Sequence, residues 1–333
     1  MRPRIFVTQP IVESALARLR SVADVDVNPD SNSVLAKDKL CAAVRGHDIL
    51  FALLHDTVDS EVLTANPKLK AVTSMSANAD RIDVAAATAR GIPVTVIPAI
   101  AVTEATADLH FGLMLAVARR IVEGDRLIHA GFFPGAQSNR LAGARVWGKV
   151  LGLVGGKGRI GQAVARRASG FGMRILYWGP HRMPESDEVK LGMTYVPLDQ
   201  LLAESDFVSL HPSLKPDTRH MIGERELRLM KRTAFLINSS RGPIVDEKAL
   251  ARVLAEKQIA GAGLDVFENE PVVEAELLKL TNVVLTPHLG SAVMEVRETM
   301  THIVVDNVMA IIEGQQPPNC VNPEVFAPKA QAN

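Results

Sequence analysis

Short apolar runs and helical periodicities alternate along this chain in two successive series. In the first, residues 5–7, 25–27, 49–53, 71–74 and 93–96 are β-rich runs, and the stretches 11–19 and 83–89 between them carry a helical period. Such alternation predicts a small parallel sheet covered by helices. Asp83 stands at an N-cap position and Arg90-Gly91 at a C-cap, which punctuates the last of those helices. Residues 103–120 then read as one long helix, apolar nearly all round, so it must be buried on several sides, as core packing between domains or as a dimer seam. The glycines, Pro134 and polar residues of 131–147 predict a segment crossing between domains. From Lys149 a second series predicts six strands, at 150–154, 174–177, 207–210, 234–238, 263–266 and 283–286, with helical patterns such as 246–257 and 274–280 in the gaps. Six strands with helical crossovers suit a doubly wound sheet. A final apolar helix over 294–312 leads to a proline-rich tail, 315–328.

The second series opens on KVLGLVGGKGRIGQAVARRASGF, where an apolar run ends in glycines and passes directly into a helix. Gly156, Gly158 and Gly161 have GxGxxG spacing, with Arg159 and Ile160 between the last two. Glycines in that pattern let a backbone turn sharply and approach a pyrophosphate at a helix N-terminus. Ligands of open α/β sheets lie beyond the carboxyl ends of the strands, so the residues following each strand become candidates. They are Ser239-Ser240-Arg241-Gly242, Phe267-Glu268-Asn269-Glu270-Pro271 and Pro287-His288-Leu289-Gly290. A guanidinium can fork a substrate carboxylate, an imidazole can protonate a carbonyl oxygen, and a carboxylate can keep that imidazole charged. Arg241, His288 and Glu270 thus supply what reduction of a 2-oxo acid requires.

Composition narrows the partners. Across 333 residues, 37 Lys and Arg balance 37 Asp and Glu, so no net field recommends nucleic acid or an anionic membrane. The N-terminus carries neither a signal-peptide core nor a membrane span. Cys41 and Cys320 stand apart and in no CxxC pattern, which argues against a disulfide framework or a metal site and fits a reducing cytoplasm.

GGKGRIGQAVA, INSSRGPIVDEKAL, GAGLDVFENEP and LTPHLGSA, together with RGIPVTVIP and TEATADLHFGLMLAVARR, resemble the D-isomer specific 2-hydroxyacid dehydrogenase family in order and spacing. The resemblance spans nearly the whole chain and is nearest to glyoxylate and hydroxypyruvate reductases. It implies an α/β fold of two Rossmann-like or flavodoxin-like domains with parallel sheets and an active-site cleft between them. Residues 1–100 with 292–333 would bind substrate, and 101–291 would bind the dinucleotide. It implies further that Arg241 binds the substrate carboxylate and carbonyl, that His288 is the general acid/base and that Glu270 is its partner. Asp265 matches an aspartate near the nicotinamide carboxamide, Thr106 a threonine on the nicotinamide side, and Ser240 a further cofactor contact. Ser76, Ala77 and Asn78 fall in the substrate loop. The implied activity is NAD(P)H-dependent reduction of a small 2-oxo acid, of glyoxylate or hydroxypyruvate type, by a cytoplasmic homodimer. The alternatives are a reductase of a larger or aromatic 2-oxo acid, or a dinucleotide-sensing protein like the family's corepressors.

Three departures sharpen these expectations. The usual acidic residue after the second strand is replaced by Gly179, followed by His181 and Arg182, which removes a carboxylate that would repel a 2′-phosphate and favours NADP(H) over NAD(H). Gly155 is an extra residue ahead of the fingerprint, which a bulged or lengthened strand end would absorb. Asn78 replaces a customary glycine in the substrate loop, where asparagine tolerates a left-handed backbone.

Overall fold

A computed structural model describes residues 2–327, so Pro328 at the end of the proline-rich tail lies outside the described residues. The chain divides into two compact units, Met1–Val102 with Val293–Asn333, and Thr103–Ala292.

The first unit runs β1 (Arg4–Val7), α1 (Glu13–Val22), β2 (Asp24–Val27), α2 (Lys37–Arg45), β3 (Ile49–Ala52), α3 (Ser60–Thr64), β4 (Ala71–Ser74), α4 (Val84–Ala89) and β5 (Val94–Thr95). Its strands form one parallel sheet in the order β2-β1-β3-β4-β5. β3 shows why both faces must be covered: Ile49 and Phe51 enter one core with Ile5, Val7 and Leu19, while Leu50 and Ala52 enter the opposite core with Leu40, Val44 and Val72. Asp83 caps α4 by accepting from Ala86 N at 2.9 Å, and Gly91, at φ 70°, turns the chain away after it. The last strand is shorter than its apolar run because Val96 N donates to Asn319 O (3.2 Å) instead of to β4.

The second unit runs α5 (Thr103–Ala118), α6 (Ile121–His129), β6 (Val150–Val154), α7 (Arg159–Gly170), β7 (Arg174–Trp178), α8 (Glu185–Leu191), β8 (Met193–Tyr195), α9 (Leu198–Glu204), β9 (Phe207–Leu210), α10 (Glu224–Leu229), β10 (Phe235–Asn238), α11 (Glu247–Ala255), β11 (Gly261–Leu264), α12 (Ala275–Leu278) and β12 (Val283–Leu285). Its sheet is parallel throughout, in the order β12-β11-β10-β9-β6-β7-β8. The order reverses between β6 and β9, which is the switch point where a doubly wound sheet opens a crevice. Seven strands replace the six expected; the added one, β8, is a three-residue edge strand that pairs with β7.

β11 starts two residues earlier than its apolar run, because glycines at 261 and 263 are what its neighbours admit. A Cβ on Gly261 would lie 2.6 Å from Asn282 O, and one on Gly263 would lie 3.1 Å from the Leu113 Cβ of α5. The expected helix over 103–120 ends at Ala118; Arg120, at φ 53°, breaks it, and α6 begins. The stretch Ala99–Ala118 is long and apolar enough to cross a membrane by composition, yet half of it is buried. Within the second unit α5 presses Ala107, Leu113, Met114 and Val117 into the core beside β6 and β10. The last helix, α13 (Met294–Ile312), returns to the first unit and buries Met300, Val304 and Val308 with the β1 and β3 core.

Candidate active site

β6 keeps continuous register with β7 and β9 up to Val154, so the strand end carries no bulge. The extra residue is absorbed otherwise. Gly155 adopts φ 81°, donates to Trp178 O at 2.8 Å and accepts from Gly158 N at 3.0 Å, making it the first residue of the turn itself. Any side chain there would strike the backbone of Pro212 (2.8 Å) and His211 (2.9 Å). A Cβ on Gly156 would fall 2.7 Å from the Tyr177 Cβ, and one on Gly161 would fall 2.8 Å from the Gly156 Cα, so the helix approaches the strand at glycine distance. Gly158 is the N-cap of α7 and provides no capping side chain, which leaves the first-turn N–H groups at Arg159 and Ile160 directed at whatever occupies the crevice. This cradle fits a dinucleotide pyrophosphate.

At the end of β7, Gly179 offers no carboxylate, and His181 and Arg182 are exposed. Arg182 is engaged by a residue that sequence reading missed. Its Nε and Nη2 donate to the two oxygens of Glu188 at 2.8 and 2.7 Å, while Tyr177 Oη donates to Glu188 Oε1 at 2.5 Å. The Arg182 fork, then the Tyr177 hydroxyl, hold the Glu188 carboxyl down to about 2. Burial first, then the adjacent carboxylate, push the Tyr177 phenol up to about 12. An acid six residues beyond an arginine, in a first helical turn, was the available signal.

The β10 end is a compact side-chain-braced turn. Asn238 accepts from Ser240 N (3.0 Å) and donates to Arg241 O (3.0 Å), and Ser240 Oγ donates to Pro212 O (2.5 Å). Arg241 Nη1 donates to Ser240 O at 2.7 Å. Gly242 lies so close to Phe267 that a Cβ would fall 1.9 Å from its carbonyl carbon, which sets the arginine loop against the loop that carries Glu270.

Beyond β11 and β12, Asp265 is fully buried and accepts from Leu289 N (2.7 Å), Gly290 N (2.9 Å) and Thr286 Oγ1 (2.6 Å). Burial raises its carboxyl above the usual range against the pull of those donors. Thr106 Oγ1 donates to Gly290 O at 3.2 Å, tying α5 to the same loop. His288 is held at φ 55° and donates its N–H to Asp265 O (2.9 Å) and Thr286 O (3.0 Å). Its Nδ1 lies 3.1 and 3.2 Å from the Glu270 oxygens, and Glu270 Oε1 also accepts from Phe267 N at 3.0 Å. The Glu270 side chain is 9% exposed and the His288 side chain 25%, so the pair is sheltered while the ring stays accessible.

The substrate-loop candidates belong to the first unit. Ser74 Oγ accepts from Ser76 N (3.1 Å), Ser76 Oγ from Asn78 N (3.4 Å) and Asn78 Oδ1 from Asp80 N (3.2 Å). Asn78 is absent from the left-handed residues, contrary to expectation, because this ladder of i to i+2 bonds turns the chain without a positive φ.

A doubly wound parallel sheet, a glycine cradle at its switch point and an arginine, histidine and glutamate on the same rim define a nicotinamide-dinucleotide oxidoreductase. The sequence model of the D-isomer specific 2-hydroxyacid dehydrogenase, NAD binding domain, matches residues 111–290. Glyoxylate reductases of Korarchaeum cryptofilum and Thermococcus litoralis are 50% and 47% identical to the chain over 98% of it, and over 97% and 98% of their own lengths. The crystal structure of an NADPH-dependent glyoxylate/hydroxypyruvate reductase from Sinorhizobium meliloti, in complex with NADP and malonate, superimposes with a TM-score of 0.79 at 32% identity, covering 99% of this chain and all of that one. The chain belongs to the D-isomer specific 2-hydroxyacid dehydrogenase family and is an oxidoreductase.

Proposed function

We propose that the protein reduces glyoxylate and hydroxypyruvate to the D-2-hydroxy acids with NADPH as the preferred cofactor. The observation that carries this reading is the His288–Glu270 pair at 3.1 Å, set on the strand-end rim that also bears Arg241. Arg241 forks the substrate carboxylate and steadies the carbonyl oxygen. Glu270 takes the Nδ1 edge of the imidazole and so presents Nε2 to the carbonyl oxygen as the proton donor. The bound nicotinamide supplies hydride to C2 of the substrate. Gly156, Gly158, Arg159, Ile160 and Gly161 hold the pyrophosphate, while Thr106, Ser240 and Asp265 line the nicotinamide side. The same names, glyoxylate reductase among them, recur in the relatives above and support the substrate class over an aromatic 2-oxo acid or a corepressor role.

The NADPH preference rests on Gly179 and Arg182. Glu188 occupies Nε and Nη2, which fixes the guanidinium and leaves its Nη1 edge for a 2′-phosphate. Glyoxylate, hydroxypyruvate and pyruvate are offered to the protein with NADPH and with NADH, and the loss of nicotinamide absorbance is followed. Faster turnover of the first two with NADPH is expected, and Arg182→Ala narrows the cofactor ratio; no oxidation with any 2-oxo acid overturns the reading.

We also assign the protein a cytoplasmic homodimer. Ile121 and Ile128 of α6 are each 55% exposed and Phe133 is 77% exposed, an apolar strip that a second copy would cover. A monomer by sedimentation overturns that assignment.

A further inference from the structure

The second unit holds two imidazoles that the chemistry above does not use, His110 within the core and His211 half-buried. His110, on α5, is fully buried. Its Nε2 lies 2.6 Å from Ser209 Oγ, and the same hydroxyl lies 2.7 Å from His211 Nε2. On its other edge, His110 Nδ1 lies 2.8 Å from Ser239 Oγ. The two rings are 4.8 Å apart, centroid to centroid. Ser209 has a single hydroxyl proton, so it donates to one ring and accepts from the other, and the whole chain is satisfied with both imidazoles neutral. Burial holds both rings well below the ordinary histidine range. A phenylalanine or leucine would fill this space without needing the two hydroxyl partners, so packing alone does not account for a histidine here.

The residues this cluster joins are informative. Ser239 directly precedes Ser240 and Arg241 on the β10 end, and His211 directly precedes Pro212, whose carbonyl accepts from Ser240 Oγ at 2.5 Å. His110 stands one helical turn after Thr106, whose hydroxyl holds Gly290 O in the loop of His288. One face of α5 therefore grips both the arginine loop and the histidine loop. α5 is itself fixed: Arg167 of α7 donates to Asp108 at 2.8 Å, and Leu113 packs on β11 at glycine distance.

We propose that His110 is a positioning residue for Arg241, acting through its Nδ1 bond to Ser239, so that α5 sets where the guanidinium meets the substrate carboxylate. This deepens the 2-oxo acid reading and rests on Arg241 being the carboxylate-binding group.

The test uses three replacements of His110 and one of Ser239 in the full chain. Asparagine places a polar atom where Nδ1 stood and keeps the Ser239 bond; glutamine reaches the Nε2 position and keeps only Ser209; phenylalanine keeps neither. Steady-state KM for glyoxylate and for NADPH, and calorimetric binding of oxamate to the NADP-bound protein, are read alongside Tm. Oxamate carries a carboxylate beside a carbonyl that cannot be reduced, so it reports on Arg241 without turnover. His110→Phe, His110→Gln and Ser239→Ala are each expected to raise the glyoxylate KM and weaken oxamate about tenfold, the scale of one hydrogen bond's worth of positioning. His110→Asn restores both, the NADPH KM stays within about twofold, and His110→Phe combined with Ser239→Ala is no worse than either alone. Loss of Tm with unchanged KM and oxamate binding, additive effects in the double variant, or failure of asparagine to outperform glutamine overturns the proposal. If the wild type binds oxamate but turns over no 2-oxo acid, the reaction reading fails while the oxamate series still decides the role of His110. If the wild type does not bind oxamate, both fall.

Discussion

His288 holds a backbone conformation, φ 55°, that few residues with a side chain adopt, and two backbone acceptors keep it there. Such local strain persists only where the surroundings over-determine it, and here it aims an imidazole at the strand-end rim with Glu270 behind it. The division of labour among the three rim residues predicts distinguishable defects. Arg241→Ala removes a charge-assisted fork, so glyoxylate binding weakens by about 1.5–3 kcal/mol, read as a rise in KM. Glu270→Gln leaves the substrate fork in place but no longer orients and supports the proton donor. Its kcat is expected to fall on the order of 100-fold with KM little changed, in line with the worth of a positioned acid. A Glu270→Gln enzyme with wild-type kcat would remove that carboxylate from the chemistry.

At the level of elements, the glycine turn is the part whose function depends most directly on backbone approach. Gly161→Ala puts a methyl 2.8 Å from the Gly156 Cα, and neither backbone can yield without opening the turn. The dinucleotide KM should rise at least about tenfold while oxamate affinity for the cofactor-saturated enzyme stays near wild type, since binding energy is lost where the pyrophosphate sits. Equal loss in both would mean the helix has shifted as a whole. The same turn shows what the sequence could and could not reveal. The chemistry-bearing residues were legible because strand ends are legible: an apolar run stops, and Arg241, Glu270 and His288 follow. Other features depended on partners distant in the chain. β11 begins at Gly261 because of what Asn282 and Leu113 bring against it, Gly155 enters the turn because Pro212 leaves no room for a Cβ, and β8 exists because β7 offers an edge. The His110–Ser239 bond spans 129 residues, and no local pattern announces it.

Across the whole molecule, buried groups set how the fold responds to acid. His110 and His211 are kept neutral, His211 down to about 3, because burial disfavours the imidazolium. The unfolded chain takes up their protons near the ordinary histidine value of about 6.5, so the stability they allow is present above that pH and is lost progressively as pH falls below it. Glu247 acts in the opposite direction. It is 5% exposed, its carboxyl accepts from Glu268 N, and burial pushes it up to about 7. Folding therefore retains a proton there that the unfolded chain has released, which gains stability as pH falls from about 7 toward the unfolded carboxylate value of about 4.5. Between about pH 4.5 and 6.5 the two histidines and the glutamate pull in opposite directions: the histidine contribution to the unfolding free energy falls as pH falls, and the Glu247 contribution rises. Urea unfolding at a series of pH values reads the net slope directly. Glu247→Gln should steepen the loss of stability toward acid, because an opposing proton is gone, and replacing both His110 and His211 by glutamine should make that loss shallower. An acid slope unchanged in the double histidine variant would show that the pair takes up protons in the folded state as readily as in the unfolded chain, and that burial does not hold it neutral.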